Sequence, residues 1–122
     1  MFFPVSGWFA AFVLTLAVEV PIAVVLLRRA EPSLPRLVVL IVFANLATHP
    51  AVWYVFTQLF LVGTPEYTLA AETWAVAAEA VFYWAAIRGL PVRRAVTVAL
   101  ASNAASFLAG RLVGEFWPEL FR

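Results

Sequence analysis

The chain has 122 residues, of which 65% are hydrophobic and 12% are charged, and its formal net charge is +1. A soluble domain has about half apolar and about a quarter charged residues, so this composition excludes a soluble globular domain and a disordered chain. A nucleic-acid-binding protein needs a basic face, which a net charge of +1 does not supply. The composition predicts an integral membrane protein whose main partner is the lipid bilayer.

The N-terminal segment predicts a retained helix and not a cleaved signal peptide. Residues 1–4 carry no basic residue, and the apolar stretch that follows exceeds 20 residues and contains Glu19. A signal peptide has a basic start, a shorter apolar region and a small-residue cleavage site. The chain has no cysteine, which excludes disulfides, a thiol nucleophile and thiolate metal ligands.

Four apolar segments are long enough to cross a bilayer, which takes about 20 helical residues. In chain order they cover residues 5–27, 37–62, 67–87 and 95–117. Proline and glycine lie in the connections, where helices end, and the segments lack the alternation of barrel strands. We expect residues 1–122 to form a single transmembrane domain of the all-α class, a bundle of four transmembrane helices.

Arginine placement predicts the orientation of these helices. The first and third connections hold six of the eight arginines, and the second connection holds none. The six are Arg28, Arg29, Arg36, Arg88, Arg93 and Arg94. Because positively charged loops stay in the cytoplasm, both termini are expected outside. All basic residues are arginines and the chain is rich in alanine, which suggests a bacterial source, so we expect a multi-pass protein of the inner (cytoplasmic) membrane.

The two halves of the chain follow the same polar pattern. A glutamate is followed nine residues later by an arginine, and after a short loop a second arginine is followed nine residues later by an asparagine. The first half holds Glu19, Arg28, Arg36 and Asn45, and the second half holds Glu79, Arg88, Arg94 and Asn103. We expect two tandem helix hairpins, over about residues 5–62 and 67–117, that repeat in parallel orientation.

The glutamates and asparagines of this repeat predict a polar layer inside the bundle. Glu19, Asn45, Glu79 and Asn103 lie about eight residues from the arginine-bearing ends of their helices, or about 12 Å deep. Side chains of this kind are costly in lipid, so we expect them to face one another. Two interpretations stay open, namely a proton or cation site and a set of hydrogen bonds that only hold the helices together.

Further polar residues stand near this layer. Thr48 and Ser106 follow the two asparagines by three residues, within reach of the same groups. His49 either relays protons to Glu79 or is a buried, hydrogen-bonded neutral side chain, and the second reading is preferred. The spacing of His49 and the glutamates matches no known metal motif, so we expect no metal site.

The half of the bundle away from the arginine-bearing loops contains one more pair of charges. Glu72 and Arg111 fall at similar depth on the third and fourth helices, which predicts an interhelical salt bridge between them. An alternative is that Glu66, Glu72 and Glu79 mark an acidic route from the outer face. Gly110 and Gly114 are spaced for close helix contact, within the bundle or between two copies.

The chain resembles a family of small bacterial four-span integral membrane proteins of uncharacterised activity. Four motifs carry the resemblance, and they are Glu19-Val-Pro, Asn45-x-x-Thr48-His49-Pro50, Glu72 with Glu79 and Tyr83, and Ser102-Asn-Ala-Ala-Ser-Phe-x-x-Gly110. The resemblance implies the four-span architecture and no particular activity. The chain is also similar to small multidrug transporters, because it has their size, four predicted spans and an acid in the first span. It departs from that family in its second acid and its paired asparagines.

The favoured function is a small proton- or cation-coupled transport module that acts as an oligomer through the glutamate and asparagine layer. The alternative is a structural or regulatory subunit that packs against a larger membrane complex. An acid–base pair of Glu79 and His49 in an intramembrane enzyme is less favoured, because the sequence has no nucleophile, phosphate-binding or cofactor motif. We therefore expect no catalytic residues and no cofactor.

Overall fold

The computed structural model describes residues 5–122, with the backbone only for Val5. Residues 1–4, on which the prediction of a retained N-terminus partly rests, lie outside the described residues. In the described chain every regular element is helical. Helix α1 spans Val5–Leu27, α2 spans Leu34–Leu59, α3 spans Pro65–Ala86, α4 spans Val92–Phe116, and a 3₁₀ turn covers Pro118–Phe121.

Three of these helices, α1, α2 and α4, are long and apolar enough to cross a membrane, which supports a membrane protein. Helix α3 has a similar length but carries Glu66, Glu72 and Glu79. Helices α2 and α4 begin three residues earlier than the apolar segments predicted, because prolines 35 and 91 can occupy a helix start without losing a hydrogen bond. Gly63 and Gly89 take positive φ angles of 86° and 76° in the connections.

Helix α2 changes its geometry after Pro50. It is α-helical over Leu34–Pro50, π-helical over Ala51–Val55 and α-helical again over Phe56–Leu59. Proline has no backbone N–H to donate to the preceding turn, so the regular ladder is interrupted there. The wider π turn absorbs this interruption and changes the direction in which the following side chains point.

The four helices form a ring in which α1 and α3 each pack against both α2 and α4. At one end, the Arg36 guanidinium donates to the Ala86 carbonyl at 3.1 Å, and that of Arg94 donates to the Leu26 carbonyl at 2.9 Å. At the other end, the Tyr67 hydroxyl donates to the carbonyl of Val52. Consecutive helices therefore run antiparallel. The connections 28–33 and 87–91 meet at what we call the arginine-rich end.

The half of the bundle between the polar residues and the arginine-rich end is a packed apolar core. Its largest members are fully buried. They are Leu27, Leu37, Ile41, Tyr83 and Ile87. The outward faces of the helices carry many exposed large apolar side chains, such as Phe43, Val81 and Leu108. An apolar surface of this extent matches a lipid environment.

Tyr83 gives a test of this core. It is 0% exposed, and its hydroxyl has no hydrogen-bond partner among the described residues. Because an unpaired buried hydroxyl is destabilising, Tyr83→Phe should raise the free energy of unfolding by roughly 1 kcal/mol. Tyr83→Ala should lower it by about 3–5 kcal/mol through the cavity left behind. Both are measured by reversible unfolding in mixed detergent micelles, and a clear loss of stability in Tyr83→Phe contradicts the packing described.

Candidate functional site

Glu79 of α3 is buried at the centre of the bundle, with 1% of its surface exposed. The Thr48 hydroxyl of α2 donates to its Oε1 at 3.2 Å, and the Asn103 amide of α4 donates to its Oε2 at 2.7 Å. The two donors come from the two helices that flank α3 in the ring. Both carboxyl oxygens of Glu79 are therefore engaged by side chains of neighbouring helices.

Glu19 of α1 is equally buried, also with 1% of its surface exposed, and its surroundings differ. The Ser106 hydroxyl of α4 donates to its Oε1 at 2.5 Å. Asn45 of α2 lies near the carboxyl group, but its amide hydrogen bond goes to the carbonyl of Ile41 in its own helix. Its Oε2 has no hydrogen-bond partner within the part of the chain that the structure describes.

The amides and hydroxyls around the two acids are anchored to their own helices. The Asn45 amide donates to the carbonyl of Ile41 at 3.1 Å, and the Asn103 amide to that of Ala99 at 2.8 Å. Thr48 and Ser106 each have one hydroxyl proton, which is shared between the glutamate and a carbonyl of the preceding helical turn. Such bonds fix side-chain rotamers in a helix interior. The structure thus brings together the polar residues that the sequence singled out, in a preorganised cluster.

A cavity of about 240 Å³ begins at this polar cluster and extends away from the arginine-rich end. All four helices contribute to its wall, with both acidic and aromatic side chains. Besides Glu19, Asn45, Thr48, Glu79, Asn103 and Ser106, it is lined by Thr15, His49, Val52, Trp53, Glu72, Ala75, Phe107, Gly110 and Arg111. The packed apolar core lies on the opposite side of the cluster. The acids therefore stand at the floor of a cavity that is closed toward the arginine-rich end.

The cavity is connected to the surface between α3 and α4. A second, open hollow of about 560 Å³ shares Glu72, Phe107 and Arg111 with it and reaches the connection that contains Gly63. Two of these three shared side chains, Phe107 and Arg111, are exposed. Solvent can therefore approach the polar cluster from the end opposite the arginine-rich one.

The predicted salt bridge between Glu72 and Arg111 is wrong. Among the described residues the ion pair is Arg36–Glu31 at 3.1 Å, in and beside the first connection. Glu72 of α3 and Arg111 of α4 both line the cavity and the open hollow beside it, but they form no ion pair. Similar depth along two helices does not by itself bring two side chains into contact.

His49 occupies an aromatic environment between α1 and α2. Its ring lies 5.4 Å from that of Phe12, 6.2 Å from that of Trp8 and 6.3 Å from that of Trp53. Its Nδ1 is buried without a hydrogen-bond partner in the described chain, and the residue lines the cavity. The preferred interpretation, in which His49 is buried and hydrogen-bonded, is therefore wrong for its Nδ1 atom. The structure also places no hydrogen bond between His49 and Glu79.

Gly110 lines the cavity and does not serve close helix packing within the bundle. A Cβ atom built there meets no other atom within 4 Å. A Cβ atom built at Gly114, one turn further on, lies 3.6 Å from the Phe121 ring of the C-terminal turn. Within the bundle, the pair of glycines therefore creates space beside α4, in contrast to the close helix contact that their spacing predicted.

Sequence reasoning did not single out Thr15 and Trp53 of the cavity wall. Thr15 stands four residues before Glu19, on the same helix face, so this spacing alone could have found it. Trp53 lies in the π turn of α2, and ordinary helical spacing from Asn45 or His49 does not predict where it points.

The chemistry available in the cavity is that of carboxyl, amide, hydroxyl and imidazole groups. Carboxyl and amide oxygens accept hydrogen bonds and bind cations, whereas Ser and Thr hydroxyls both donate and accept. In the described residues no three histidine or acidic side chains are grouped closely enough to hold a metal ion.

Comparisons with protein-family models, with curated proteins and with solved structures gave no match to this chain.

Asn103 and Asn45 provide a matched test of the cluster. Each donates to a carbonyl of its own helix, but Asn103 also donates to Glu79. Asn103→Leu leaves a buried carboxyl oxygen unpaired, so it should destabilise the protein by about 1–3 kcal/mol more than Asn45→Leu does. Unfolding in mixed micelles measures both variants. Equal losses for the two variants contradict the contribution assigned to the Asn103–Glu79 hydrogen bond.

Proposed function

We propose that this protein is a small proton- or cation-coupled transport module of a membrane, with the polar cluster as its binding site. The observation that carries the proposal is the pair of buried glutamates at the floor of a cavity that is open toward one end of the bundle. Ionisable groups inside a membrane are expensive and commonly mark ion or substrate pathways. Amide and hydroxyl side chains that only join helices do not need an open cavity beside them.

The proposal includes four membrane crossings, with α3 as the fourth. Two of its three acids, Glu72 and Glu79, line the cavity, and Glu66 stands in its first turn at the helix end. Acidic residues on an inward face do not meet lipid, so they do not prevent a helix from crossing. The arginine-rich end is proposed to face the cytoplasm of a bacterial cell, with both termini outside.

The proposal also includes a tandem duplication, and the pairing of the cavity residues supports it. Residues of α1 match residues of α3 that are 60 positions later, and residues of α2 match those of α4 that are 58 positions later. Fourteen of the fifteen wall residues fall into seven such pairs, with Glu72 left over. The pairs are Thr15 with Ala75, Glu19 with Glu79, Asn45 with Asn103, Thr48 with Ser106, His49 with Phe107, Val52 with Gly110 and Trp53 with Arg111.

The hydrogen bonds follow the same relation. Thr48 of α2 donates to Glu79 of the adjacent α3, and Ser106 of α4 donates to Glu19 of the adjacent α1. Arg36 donates to the carbonyl of Ala86, and Arg94 donates to that of Leu26. Two-fold relations of this kind are used by transporters with parallel repeats, whose binding site lies at the interface between the repeats.

An oligomer is proposed because, in the described part of a single copy, the cavity lies on one side of the cluster and the apolar core lies on the other. The apolar core between Glu79 and the arginine-rich end is closed by fully buried side chains. Passage through one copy requires this core to open. Association of copies through their exposed apolar faces supplies a second element against which the helices can move.

A flux measurement tests the proposed activity. Purified protein in phosphatidylcholine–phosphatidylglycerol vesicles should move protons, or Na⁺ or K⁺ coupled to them, when a gradient is imposed across the membrane. A dye sensitive to internal pH reports the rate. The double variant Glu19→Gln/Glu79→Gln should fall to the rate of protein-free vesicles, because amides cannot bind and release protons. Gly110→Leu should also lower the rate, because its side chain fills open space in the cavity wall.

Glu66→Gln serves as the matched control, since this exposed acid lies at the end of the same helix as Glu79. It should behave like the unmodified protein. Flux that survives in the double glutamine variant, or no flux from the unmodified protein under any of these gradients, rejects the transport proposal. The alternative of a structural or regulatory subunit is then the better explanation.

Single introduced cysteines test the proposed orientation, because the chain has no cysteine of its own and any label must be on the introduced one. Cysteines at Ser33, Val62 and Val92 stand at exposed positions in or beside the three connections. In intact cells, Val62→Cys should react with a membrane-impermeant maleimide, whereas Ser33→Cys and Val92→Cys should react only after permeabilisation. Val92→Cys that labels from outside contradicts a crossing by α3.

A further inference from the structure

The two buried glutamates occupy matching positions but have different hydrogen-bond environments. Glu79 accepts from Thr48 through one oxygen and from Asn103 through the other, at 3.2 and 2.7 Å. Glu19 accepts from Ser106 through Oε1 alone, and its Oε2 is unpaired in the described structure. Both acids are 1% exposed and line the cavity, but only Glu19 has a carboxyl oxygen without a hydrogen-bond partner among the described residues.

The missing bond traces to the two asparagines. The Asn103 amide nitrogen donates to both Ala99 and Glu79, whereas the hydrogen bond of the Asn45 amide nitrogen goes to Ile41 and Glu19 Oε2 is left without a partner. The difference leaves one hydrogen-bond acceptor of Glu19 available to a ligand. A buried carboxyl oxygen without a partner is costly unless something occupies it for part of the time.

The backbone around Glu19 is also less constrained than that around Glu79. Pro21 lies inside α1, two residues after Glu19, and it removes one hydrogen bond from this turn of the helix. The position that corresponds to it in α3 is Val81, which keeps its backbone N–H. The turn that carries Glu19 can therefore adjust more readily when the carboxyl group gains or loses a ligand.

We infer that Glu19 is the carboxyl group that takes up the proton or monovalent cation from the cavity. Glu79 is a positioning residue, held by Thr48 and Asn103, that fixes the opposite wall of the site. This assignment rests on the proposed function of the cluster. The matching sequence positions of Glu19 and Glu79 suggest that the two acids have the same role. We assign binding and release of the ligand to Glu19 alone.

A small apolar carbodiimide distinguishes the two acids without any measurement of transport. Diisopropylcarbodiimide reacts with a carboxylic acid that has an accessible oxygen. The carboxyl oxygen bonds to the central carbon of the reagent, and the carboxyl proton moves to one of its nitrogens. The acyl group then migrates from oxygen to nitrogen and forms a stable N-acylurea that retains every atom of the reagent. Peptide mass spectrometry of the full-length protein in vesicles identifies the labelled residue.

We expect the label on Glu19 to exceed that on Glu79 by about tenfold, the factor that corresponds to one additional hydrogen bond that must break at Glu79. Glu19→Gln should remove most of the label, and Glu79→Gln should leave the label on Glu19. Equal labelling of the two acids, preferential labelling of Glu79, or no labelling of either one overturns the inference.

A variant that removes the hydrogen bonds to Glu79 keeps the test decisive if a glutamine variant fails to fold. Thr48→Val/Asn103→Leu removes both donors from Glu79 and should make that residue reactive, while Glu19 remains labelled. If Glu79 stays unreactive in this folded variant, hydrogen bonding is not what protects it and the assignment fails.

The inference and the proposed function fail in different experiments. Selective labelling of Glu19 in a protein without flux leaves the assignment in place and rejects the transport function. Flux that disappears in the double glutamine variant, combined with labelling mainly at Glu79, leaves the transport function in place and rejects the assignment.

Discussion

A carboxyl group that leaves water loses the hydrogen bonds of its hydration shell, and inside an apolar bundle only other side chains can replace them. Glu19 and Glu79 are both subject to this constraint, at the centre of a ring of four helices. Glu79 of α3 accepts hydrogen bonds from α2 and α4, and Glu19 of α1 accepts one from α4. The two acids therefore connect all four helices to one another. Helix order and rotation in the bundle depend on keeping these contacts.

The same constraint divides the bundle into two unlike halves. Toward the arginine-rich end, buried apolar side chains such as Leu37 and Tyr83 pack together between the helices. On the other side, the small residues Ala75 and Gly110 and the π turn after Pro50 leave a cavity beside the acids. Solvent or a ligand in this cavity can complete the hydrogen bonding that the protein leaves open at Glu19. A site with access from one side follows from this division.

Sequence reasoning predicted the helices well because apolar length and the placement of proline and glycine determine where a membrane helix can begin and end. It also predicted which polar residues come together, since Glu19, Asn45, Glu79 and Asn103 stand at one distance from the arginine-bearing helix ends. Depth along a helix axis is readable from residue counts. This is why the approximate composition of the site could be worked out in advance.

Sequence reasoning failed where the outcome depends on direction around the helix axis or on a single hydrogen bond. Glu72 and Arg111 share a depth, but they form no ion pair. Trp53 reaches the cavity through a π turn that regular helical spacing does not anticipate. The inequality of Glu19 and Glu79 arises from an amide contact that differs between two matching asparagines. The sequence pattern makes those two residues look equivalent.

The central claim is that water reaches an acidic cavity next to the buried glutamates and does not enter the core on their other side. Ala75 and Ala80 allow a direct comparison, since they lie five residues apart on α3 with 8% and 6% exposure, and only Ala75 lines the cavity. The measurement is the rate at which Ala75→Cys and Ala80→Cys react with a small cationic and a small anionic methanethiosulfonate in lipid vesicles. The account predicts reaction at position 75, faster with the cationic reagent, and none at position 80. Equal reactivity at the two positions, or none at position 75, contradicts it.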